Sequence, residues 1–559
     1  MHSSSATSNE HERQHASHRR DQAGTGMSRR GVLAGTAALG AAAVATAAPE
    51  AVAAPAPAAV PASPAGPATV RPDDARYPSL TRRGTNARFV GRPDYVRVAA
   101  TTEQVVQAVQ QAVLEGKRIA VRSGGHCFEG FVDDPSVRAL IDLSPMNGVS
   151  YDAARRAFAV EPGALLGQVY RRLFTEWGVT IPAGATAEVG IGGHVLGGGY
   201  GALSRRYGLS VDHLYAVEVV VVDASGKASS VVATRESTGA LGDLWWAHTG
   251  GGGGNFGVVT RYWFRDPAAT GPDPARLLPR PPASVLSFSA SWSWKDLDAR
   301  SFARLVRNHG SWHENNSAAG SPYAGLFSVL MLNSRKAGTV DLVGQLDATG
   351  SGARRLLDGY LAAVGQGVGA RPTASHREQP WLEANANVSE SAPASFKAKA
   401  GYLRKRFTDL QIGVLHEHLT SAAGDALDGS VWLVSYGGKV NTVPVGATAV
   451  AQRDSVLKAV YLTGWDSSPQ DSGPCLRWVR ELYRDVYADS GGVPVPGSGS
   501  DGSFINYPDT DLADPALNTS GTPWQTLYYK GHYARLQRVK AHWDPRDEFR
   551  HALSVRPPR

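Results

Sequence analysis

The sequence predicts an α+β fold, because a strand–helix–strand pattern is followed, beyond a proline-rich boundary, by further segments with strand character. Val96–Val98 reads as a strand, the Thr101-Thr102 pair can cap a helix, and Arg118–Arg122 reads as a buried strand. This unit predicts a first domain of mixed helix and sheet. Aromatic-rich segments around Val285–Trp294 and Tyr323–Asn333 predict an antiparallel sheet in a second domain.

Size, charge and cysteine content exclude some classes of protein. A chain of 559 residues can form two or three cores, so a large cofactor can be enclosed between domains. Basic residues number 57 and acidic residues 50, and no lysine/arginine block with interleaved aromatics occurs, so nucleic-acid binding is not favoured. The two cysteines, Cys127 and Cys475, argue against a disulfide framework and a structural zinc site, and we predict no metal centre.

The N-terminus has the pattern of a twin-arginine export signal. Arg29 and Arg30 precede a weakly hydrophobic, alanine-rich run from Ala34 to Ala48, and Val52-Ala53-Ala54 offers a cleavage site. The run is too short and too alanine-rich for a stable membrane span. Translation can begin at Met1 or at Met27. We expect a secreted, extracytoplasmic protein that uses the twin-arginine export machinery.

Composition divides the rest of the chain. The stretch Pro55–Pro72 is rich in proline and alanine and is predicted to be a disordered tether. Residues 266–285 contain six prolines and indicate a domain boundary. The predicted organisation is a signal segment (1–54), a tether (55–75), a first domain (76–268), a second domain (285–499) and a C-terminal segment (500–559) that returns to the first domain.

Three glycine clusters and a C-terminal motif are the most specific signals in the sequence. The first cluster, VRSGGHCFEGF (121–131), places His126 directly after two glycines, which let a backbone approach an anionic group without a Cβ in the way. The others are IPAGATAEVGIGGHVLGGGYG (181–201), TGGGGGNFGVVT (249–260) and FINYPDTD (504–511). Alone, each would be an ordinary turn. Their order along the chain carries the information.

These four segments, in this order, resemble the berberine-bridge-enzyme-like branch of the FAD-linked oxidases, within the vanillyl-alcohol-oxidase type of flavoprotein. The resemblance runs from about Arg76 to the C-terminus. It implies a PCMH-type FAD-binding domain of two subdomains, and a substrate domain whose antiparallel sheet is backed by helices. It also implies FAD attached covalently through His126. Many relatives add a second bond from a cysteine, but Thr186 stands at that position, and a hydroxyl cannot replace a thiolate nucleophile. We therefore predict a single covalent link, and we interpret Cys127 as a packing residue.

The resemblance also implies which residues surround the FAD. Main-chain donors of residues 123–125 are expected to hold the diphosphate, with glycines of the second cluster closing the other side. Val189 lies where relatives control oxygen access, and a valine there goes with oxidase behaviour. The predicted cofactor-binding residues are His126, Arg122, Ser123, Gly124, Gly125, Val189, Gly190, Gly192, Gly193, His194, Gly197, Gly257, Val258 and Asn506.

Oxidation of an alcohol carbon needs a base for the hydroxyl proton. The resemblance implies Tyr507 as the proton acceptor and Tyr200 as a hydrogen-bond donor that lowers the pKa of Tyr507, since a phenol ordinarily titrates near ~10. Tyr461, on the predicted strand Leu457–Trp465, occupies the place of a variable catalytic side chain in relatives. For each tyrosine the alternative is an interface aromatic whose hydroxyl is simply satisfied.

The sequence therefore predicts an exported flavoprotein oxidase that acts on an alcohol carbon, with oxygen as the electron acceptor and hydrogen peroxide as a product. The expected substrate is a small-molecule alcohol, either a sugar or a glycosylated or polyketide natural product. Two alternatives stay open, namely an FAD-dependent dehydrogenase with a quinone-type acceptor and a non-catalytic binding protein that keeps the fold. Several tryptophans could stack on sugars or fill the core: Trp292, Trp294, Trp312, Trp381 and Trp432.

Overall fold

The structure, a computed structural model, describes residues 66–386, 394–466 and 469–558, except for the side chains of residues 469–471. The predicted signal segment (1–54) and most of the predicted tether lie outside the described residues. Within the described residues, the strands form three sheets of four, five and seven strands. The chain thus combines helices and sheets as an α+β fold.

The four-stranded sheet contains the strand–helix–strand unit. Its strands are β1 (Ala68–Val70), β2 (Tyr95–Val98), β3 (Ile119–Arg122) and β4 (Ala139–Asp142), in the order β1-β2-β4-β3. Strands β2, β4 and β3 are parallel, and β1 is antiparallel to β2. The helix Thr102–Leu114 connects β2 to β3, and the Thr101 side chain accepts a hydrogen bond from the backbone N–H of Gln104 at 3.3 Å. The predicted unit and its helix cap are confirmed.

Strand β1 corrects the predicted tether. Ala68–Val70 pairs with β2, and Val70 is fully buried in a cluster with Val96 and Leu140. Threonine and valine favour strands, and the edge of the parallel sheet offers them backbone partners. The prediction of disorder up to Pro72 is therefore wrong for these residues, because it rested on composition alone.

The five-stranded sheet is antiparallel and follows in sequence. Its strands are β5 (Val149–Asp152), β6 (Ala157–Val160), β7 (Leu214–Val222), β8 (Ala228–Thr234) and β9 (Val258–Phe264), in the order β5-β6-β9-β7-β8. The α-helices of residues 77–247, apart from Thr102–Leu114, are Tyr77–Thr81, Leu166–Trp177, Ile191–Leu196, Ser204–Tyr207 and Gly239–Ala247.

The seven-stranded sheet is also antiparallel. Its strands are β10 (Ser284–Ser293), β11 (Leu326–Asn333), β12 (Thr339–Asp347), β13 (Thr373–Pro380), β14 (Ser395–Leu403), β15 (Asp428–Ser435) and β16 (Leu457–Trp465), in the order β13-β10-β12-β11-β15-β16-β14. The helices that accompany it are Ala299–Asn315, Ala353–Gly365, Trp381–Asn385, Asp409–Thr420, Ala422–Ala426 and Pro469–Val486. The last of these packs on β14 and β16.

The C-terminal segment, with helices Trp524–Tyr529 and Tyr533–Trp543, packs on the third glycine cluster. The hydroxyl of Tyr529 donates to the carbonyl of Gly251 at 3.0 Å, and Nζ of Lys540 donates to the carbonyl of Asn255 at 2.8 Å. The end of the chain therefore helps to shape the loop that bears this cluster.

No helix in the part of the chain that the structure describes combines the length and the apolar composition needed to cross a bilayer.

Candidate active site

A cavity of about 1180 Å³ brings the four sequence motifs together. Pockets for drug-sized ligands measure about 300–1,000 Å³, so this cavity has room for a cofactor together with a substrate. Its walls come from all three sheets and from the C-terminal segment. The predicted residues that line it are Arg122, Ser123, Gly124, Gly125, His126, Val189, Gly190, Gly192, Gly193, His194, Tyr200, Gly257, Val258, Asn506 and Tyr507.

The first two glycine clusters meet backbone to backbone at this cavity. A Cβ on Gly124 would lie under 3.0 Å from the backbone nitrogen of Gly190, and a Cβ on Gly190 would lie equally close to Gly124. Gly125 has φ +82°, a left-handed conformation that favours glycine. Within the described residues, the N–H groups of Gly124 and Gly125 have no protein acceptor. Such a cradle of free backbone donors fits the diphosphate of FAD.

We expect Gly190→Ala to force the two glycine loops apart, because its Cβ would collide with the backbone of Gly124. Overpacking of this kind costs about 1–3 kcal/mol in the free energy of unfolding. Urea denaturation and the FAD content of the purified protein measure the two effects. Gly413→Ala is the matched control, since Gly413 lies in the helix Asp409–Thr420, outside the cavity lining, and a Cβ there meets nothing within 4 Å. Equal stability and equal FAD content in both variants would contradict this account of the cradle.

His126 follows strand β3 and lines the cavity. Burial lowers its pKa, and the charge of Glu188 only partly opposes this effect. The imidazole is therefore held in its neutral form, which has the lone pair that a nucleophile needs. Neighbouring Cys127 also lines the cavity, but burial raises the pKa of its thiol to about 12. The thiol therefore stays protonated and unreactive, which fits a packing role.

Three of the predicted cofactor-binding residues make contacts within the protein. Two of them, Arg122 and His194, use polar side chains, and Gly197 allows a close approach because it has no side chain. The guanidinium of Arg122 pairs with Asp133 at 2.5 Å. Nε2 of His194 accepts the backbone N–H of Gly184 at 3.0 Å, and burial lowers the pKa of His194 to about 4. Gly197 does not line the cavity; a Cβ there would collide with the amide of Asn506. The close approach of Gly197 to Asn506 gives this glycine a packing role, and its predicted contact with the cofactor stays a prediction.

Tyr507 stands in an aromatic wall of the cavity. Its ring is stacked parallel to Phe128, with 5.1 Å between centroids, and lies edge-on to Phe504 at 5.2 Å. Burial raises the pKa of Tyr507 to about 12. A phenol in this setting needs a nearby positive charge before it can act as a base at neutral pH.

Tyr200 does not supply the predicted hydrogen bond to Tyr507. Its hydroxyl donates instead to the carbonyl oxygen of Ser435, at the end of β15, and its ring lies against Tyr436 with 5.1 Å between centroids. The Tyr200 side chain is thus tied to the seven-stranded sheet.

A buried lysine that the sequence did not point to, Lys458, lies among these aromatic rings. Its Nζ lies 3.9 Å from the ring centroid of Tyr200, 4.4 Å from that of Phe504 and 5.5 Å from that of Tyr507. Lys458 is 2 % exposed, it has no carboxylate partner within the described residues, and burial lowers its pKa well below the ordinary value. A lysine inside an apolar strand is rare unless it has a partner or a function. The position of Lys458 in the apolar strand Leu457–Trp465 is therefore the sequence feature that could have identified it.

Tyr461 lies on the wrong face of β16 for catalysis. Lys458, Val460 and Leu462 line the cavity, whereas Tyr461 points to the helix Pro469–Val486. Its hydroxyl donates to that of Tyr487 at 3.2 Å. The prediction that Tyr461 takes part in catalysis is wrong, because successive side chains of a strand point to opposite faces.

The chain is similar to known FAD-binding proteins over most of its length. A family model described as "FAD binding domain" matches residues 93–231, and one described as "Berberine and berberine like" matches residues 503–556. Aclacinomycin-N/aclacinomycin-A oxidase of Streptomyces galilaeus is 58% identical over 487 residues, which cover 87% of this chain and 89% of that protein. Hexose oxidase of Chondrus crispus is 31% identical over 526 residues, or 86% and 93% of the two chains. The crystal structure of a glycopeptide hexose oxidase complexed with teicoplanin has a TM-score of 0.85 and 53% identity, and the match covers 89% of this chain and 100% of that one.

Proposed function

Because the chain belongs to the berberine-bridge-enzyme-like family of FAD-linked oxidases and is an FAD-dependent oxidoreductase acting on alcohol groups, we propose that it oxidises a sugar hydroxyl, free or on a natural product, with oxygen as the acceptor. The observation that carries the proposal is one cavity shared by His126, Tyr507 and Lys458. The names of the relatives support the substrate class, since they refer to a hexose, a glycopeptide and aclacinomycin.

When bound, FAD would supply the two-electron acceptor for the hydride of the alcohol carbon, and oxygen would take up the two electrons to give hydrogen peroxide. His126 is the proposed covalent link to FAD, and the backbone donors of Gly124 and Gly125 are the proposed diphosphate site. Thr186 also lines the cavity, and its hydroxyl cannot form the bond that a cysteine thiolate forms, which supports a single link.

Tyr507 is the proposed acceptor of the substrate's hydroxyl proton. A protonated Lys458 stabilises the phenolate of Tyr507, and the phenolate in turn favours the protonated lysine, so the two groups titrate as a coupled pair. The rings of Tyr200 and Phe504, which Nζ contacts from above, add cation–π attraction that helps to keep the ammonium charged in a buried place.

We expect Lys458→Met to shift the pH dependence of substrate oxidation toward higher pH. Loss of the cation raises the pKa of Tyr507, so the phenolate forms only in more alkaline solution. At pH 7 the rate falls by about tenfold for each unit of that shift. Anaerobic stopped-flow reduction across a pH series measures it, with Lys458→Arg as the control that keeps a positive charge. A profile that overlies the wild type, or moves to lower pH, would refute the role of Lys458.

Val189 supports oxygen as the acceptor, since this small side chain lines the cavity in the second glycine cluster. Stopped-flow reoxidation in air tests this part of the proposal. Fast reoxidation with formation of hydrogen peroxide supports an oxidase. Slow reoxidation in air, combined with fast reoxidation by a quinone, would favour the dehydrogenase alternative.

The substrate class is tested with a panel of hexoses and glycosylated natural products under anaerobic conditions. Loss of the yellow colour identifies a substrate, and a panel with no response would favour the non-catalytic alternative. Of the five tryptophans considered for sugar stacking, Trp432 lines the cavity, and Trp292, Trp294, Trp312 and Trp381 do not. A further tryptophan, Trp465, also lines the cavity. A substrate sugar is therefore proposed to lie near Trp432 and Trp465.

We also propose that the protein is exported through the twin-arginine pathway. The support is the sequence of residues 28–54, in which Arg29 and Arg30 precede an alanine-rich run and small residues. The test compares the amount of protein in the medium for the wild type and for a variant with both arginines replaced by lysine.

A further inference from the structure

A buried cluster of charged side chains lies behind the aromatic wall of the cavity, and the proposed reaction uses none of them. We call it the ion cluster, and its members are Glu129, Lys397, Lys399, Asp509, Asp511 and, at its edge, Arg480. Lys397 pairs with Glu129 and, at 2.7 Å, with Asp509. Lys399 pairs with Asp509 at 2.5 Å and with Asp511 at 3.0 Å.

The ion cluster joins three segments that are far apart in sequence. Glu129 lies three residues after His126, Lys397 and Lys399 lie on β14, and Asp509 lies two residues after Tyr507. The side chains of Lys397, Glu129 and Asp509 are 1 %, 3 % and 0 % exposed. Buried charges of this kind hold their partners in one arrangement, because a broken pair leaves an uncompensated charge inside the protein.

Each of the three segments also contributes a ring to the cavity wall, one or two residues before its charged residue. Phe128 precedes Glu129, Phe396 precedes Lys397, and Tyr507 precedes Asp509 by two residues. Phe128 packs edge-on against Phe396 with 5.0 Å between centroids and stacks on Tyr507 at 5.1 Å. Phe396 lines the cavity, and Lys397 points to the opposite face of β14, as strand geometry requires. The rings therefore lie on one side of the wall and the ion pairs on the other.

The charges balance, with three carboxylates and three cations. Burial alone would raise the pKa of the Asp511 carboxyl. Hydrogen bonds from Arg480 and the positive charges of Lys399 and Lys397 outweigh burial and hold this pKa below its ordinary value. Burial raises the pKa of Glu129, and Lys397 opposes that rise. Lys397 is the shared partner of the first and third segments, so its removal separates them electrostatically.

We propose that the ion cluster positions the catalytic base relative to the FAD link, with Lys397 as the positioning residue that holds the His126 segment and the Tyr507 segment together. This inference rests on the proposed function of His126 and Tyr507. A positioning role can be distinguished from a purely stabilising one. If Lys397 positions these segments, its loss slows substrate oxidation and FAD attachment more than the loss of an equally buried ion pair elsewhere does.

The experiment compares full-length Lys397→Met with the wild type in the FAD-loaded state. We expect anaerobic FAD reduction to slow by about 10- to 100-fold at saturating substrate, since small misplacements of a reacting group have effects of this size. We also expect a smaller covalently bound FAD fraction. The double variant Glu129→Gln/Lys397→Met is used if the single variant fails to fold. It removes one charge of each sign and so keeps the net charge of the ion cluster unchanged. We expect this variant to react slowly as well.

The matched control is Asp212→Asn, which breaks the buried pair of Asp212 with Arg453 (2.7 Å). We expect it to lower thermal stability while its reduction rate and covalent FAD fraction stay at the wild-type values. Wild-type rates and wild-type FAD attachment in both Lys397 variants would overturn the proposal. If no alcohol reduces the wild type, the proposed function fails, whereas the covalent FAD fraction of the variants reports separately on whether Lys397 holds the His126 segment in place.

Discussion

Replacement of Tyr507 by phenylalanine is expected to slow reduction of the bound FAD by about 10²- to 10⁴-fold, the usual contribution of a positioned general base. The ring packing against Phe128 and Phe504 is kept in this variant, so FAD content and folding should match the wild type. Anaerobic stopped-flow spectroscopy with a saturating substrate measures the effect directly, because it separates reduction from the later reaction with oxygen.

Tyr461→Phe is the matched control, since Tyr461 is buried on the other face of β16 and hydrogen bonds to Tyr487. We expect its reduction rate to equal that of the wild type. Turnover that survives in Tyr507→Phe would remove Tyr507 from the role of base. A comparable loss in both tyrosine variants would indicate a general packing effect.

His126→Ala is expected to abolish the covalent attachment of FAD. After acid precipitation the pellet should be colourless and the FAD should remain in solution, whereas the wild-type pellet stays yellow. We also expect slower oxidation of substrate in any FAD-loaded variant, because the covalent bond withdraws electron density and makes FAD a stronger oxidant. Absorbance spectra of the pellet and the supernatant make the measurement.

Two further variants sharpen this test. Cys127→Ala, next to His126, should keep the colour in the pellet, because its buried thiol is protonated and is not expected to form a link. Thr186→Cys supplies the thiol of the two-link pattern and should retain FAD even in combination with His126→Ala. A colourless wild-type pellet would contradict covalent attachment altogether.

The parts of the fold that local sequence specifies were predictable. The cap at Thr101, the helix of period 3.6 and the apolar strands around it all follow from short-range rules, and the helix is observed as Thr102–Leu114. The strand Leu457–Trp465 has the predicted bounds. The meeting of Gly124 and Gly190 also agrees with the glycine pattern, since only residues without a Cβ allow such an approach.

The faces of β16 could not be predicted in the same way. Alternation divides a strand into two sets of side chains, but β16 is buried on both sides, so the pattern does not say which set faces the cavity. Tyr461 was chosen from one set, and the structure places the other set, with Lys458, in the cavity wall. The choice depends on the packing of the helix Pro469–Val486, which is a long-range contact.

The ion cluster was hidden for a different reason. Lys397 and Lys399 alternate with small and apolar residues in β14, a pattern that ordinarily indicates a solvated face. Their partners Glu129 and Asp509 lie more than a hundred residues away along the chain. A charged face that is covered by distant carboxylates has the same local sequence as one covered by water, so its burial follows only from the tertiary structure.

The central claim is that FAD is attached to His126 at the wall that carries Tyr507, and peptide mapping by mass spectrometry tests it most directly. Trypsin cleaves after Arg122, Arg138, Arg172 and Arg205, so His126 and Thr186 fall on separate peptides. We predict one FAD per chain, carried by the peptide of residues 123–138. FAD on the peptide of residues 173–205, or on neither peptide, would contradict the account.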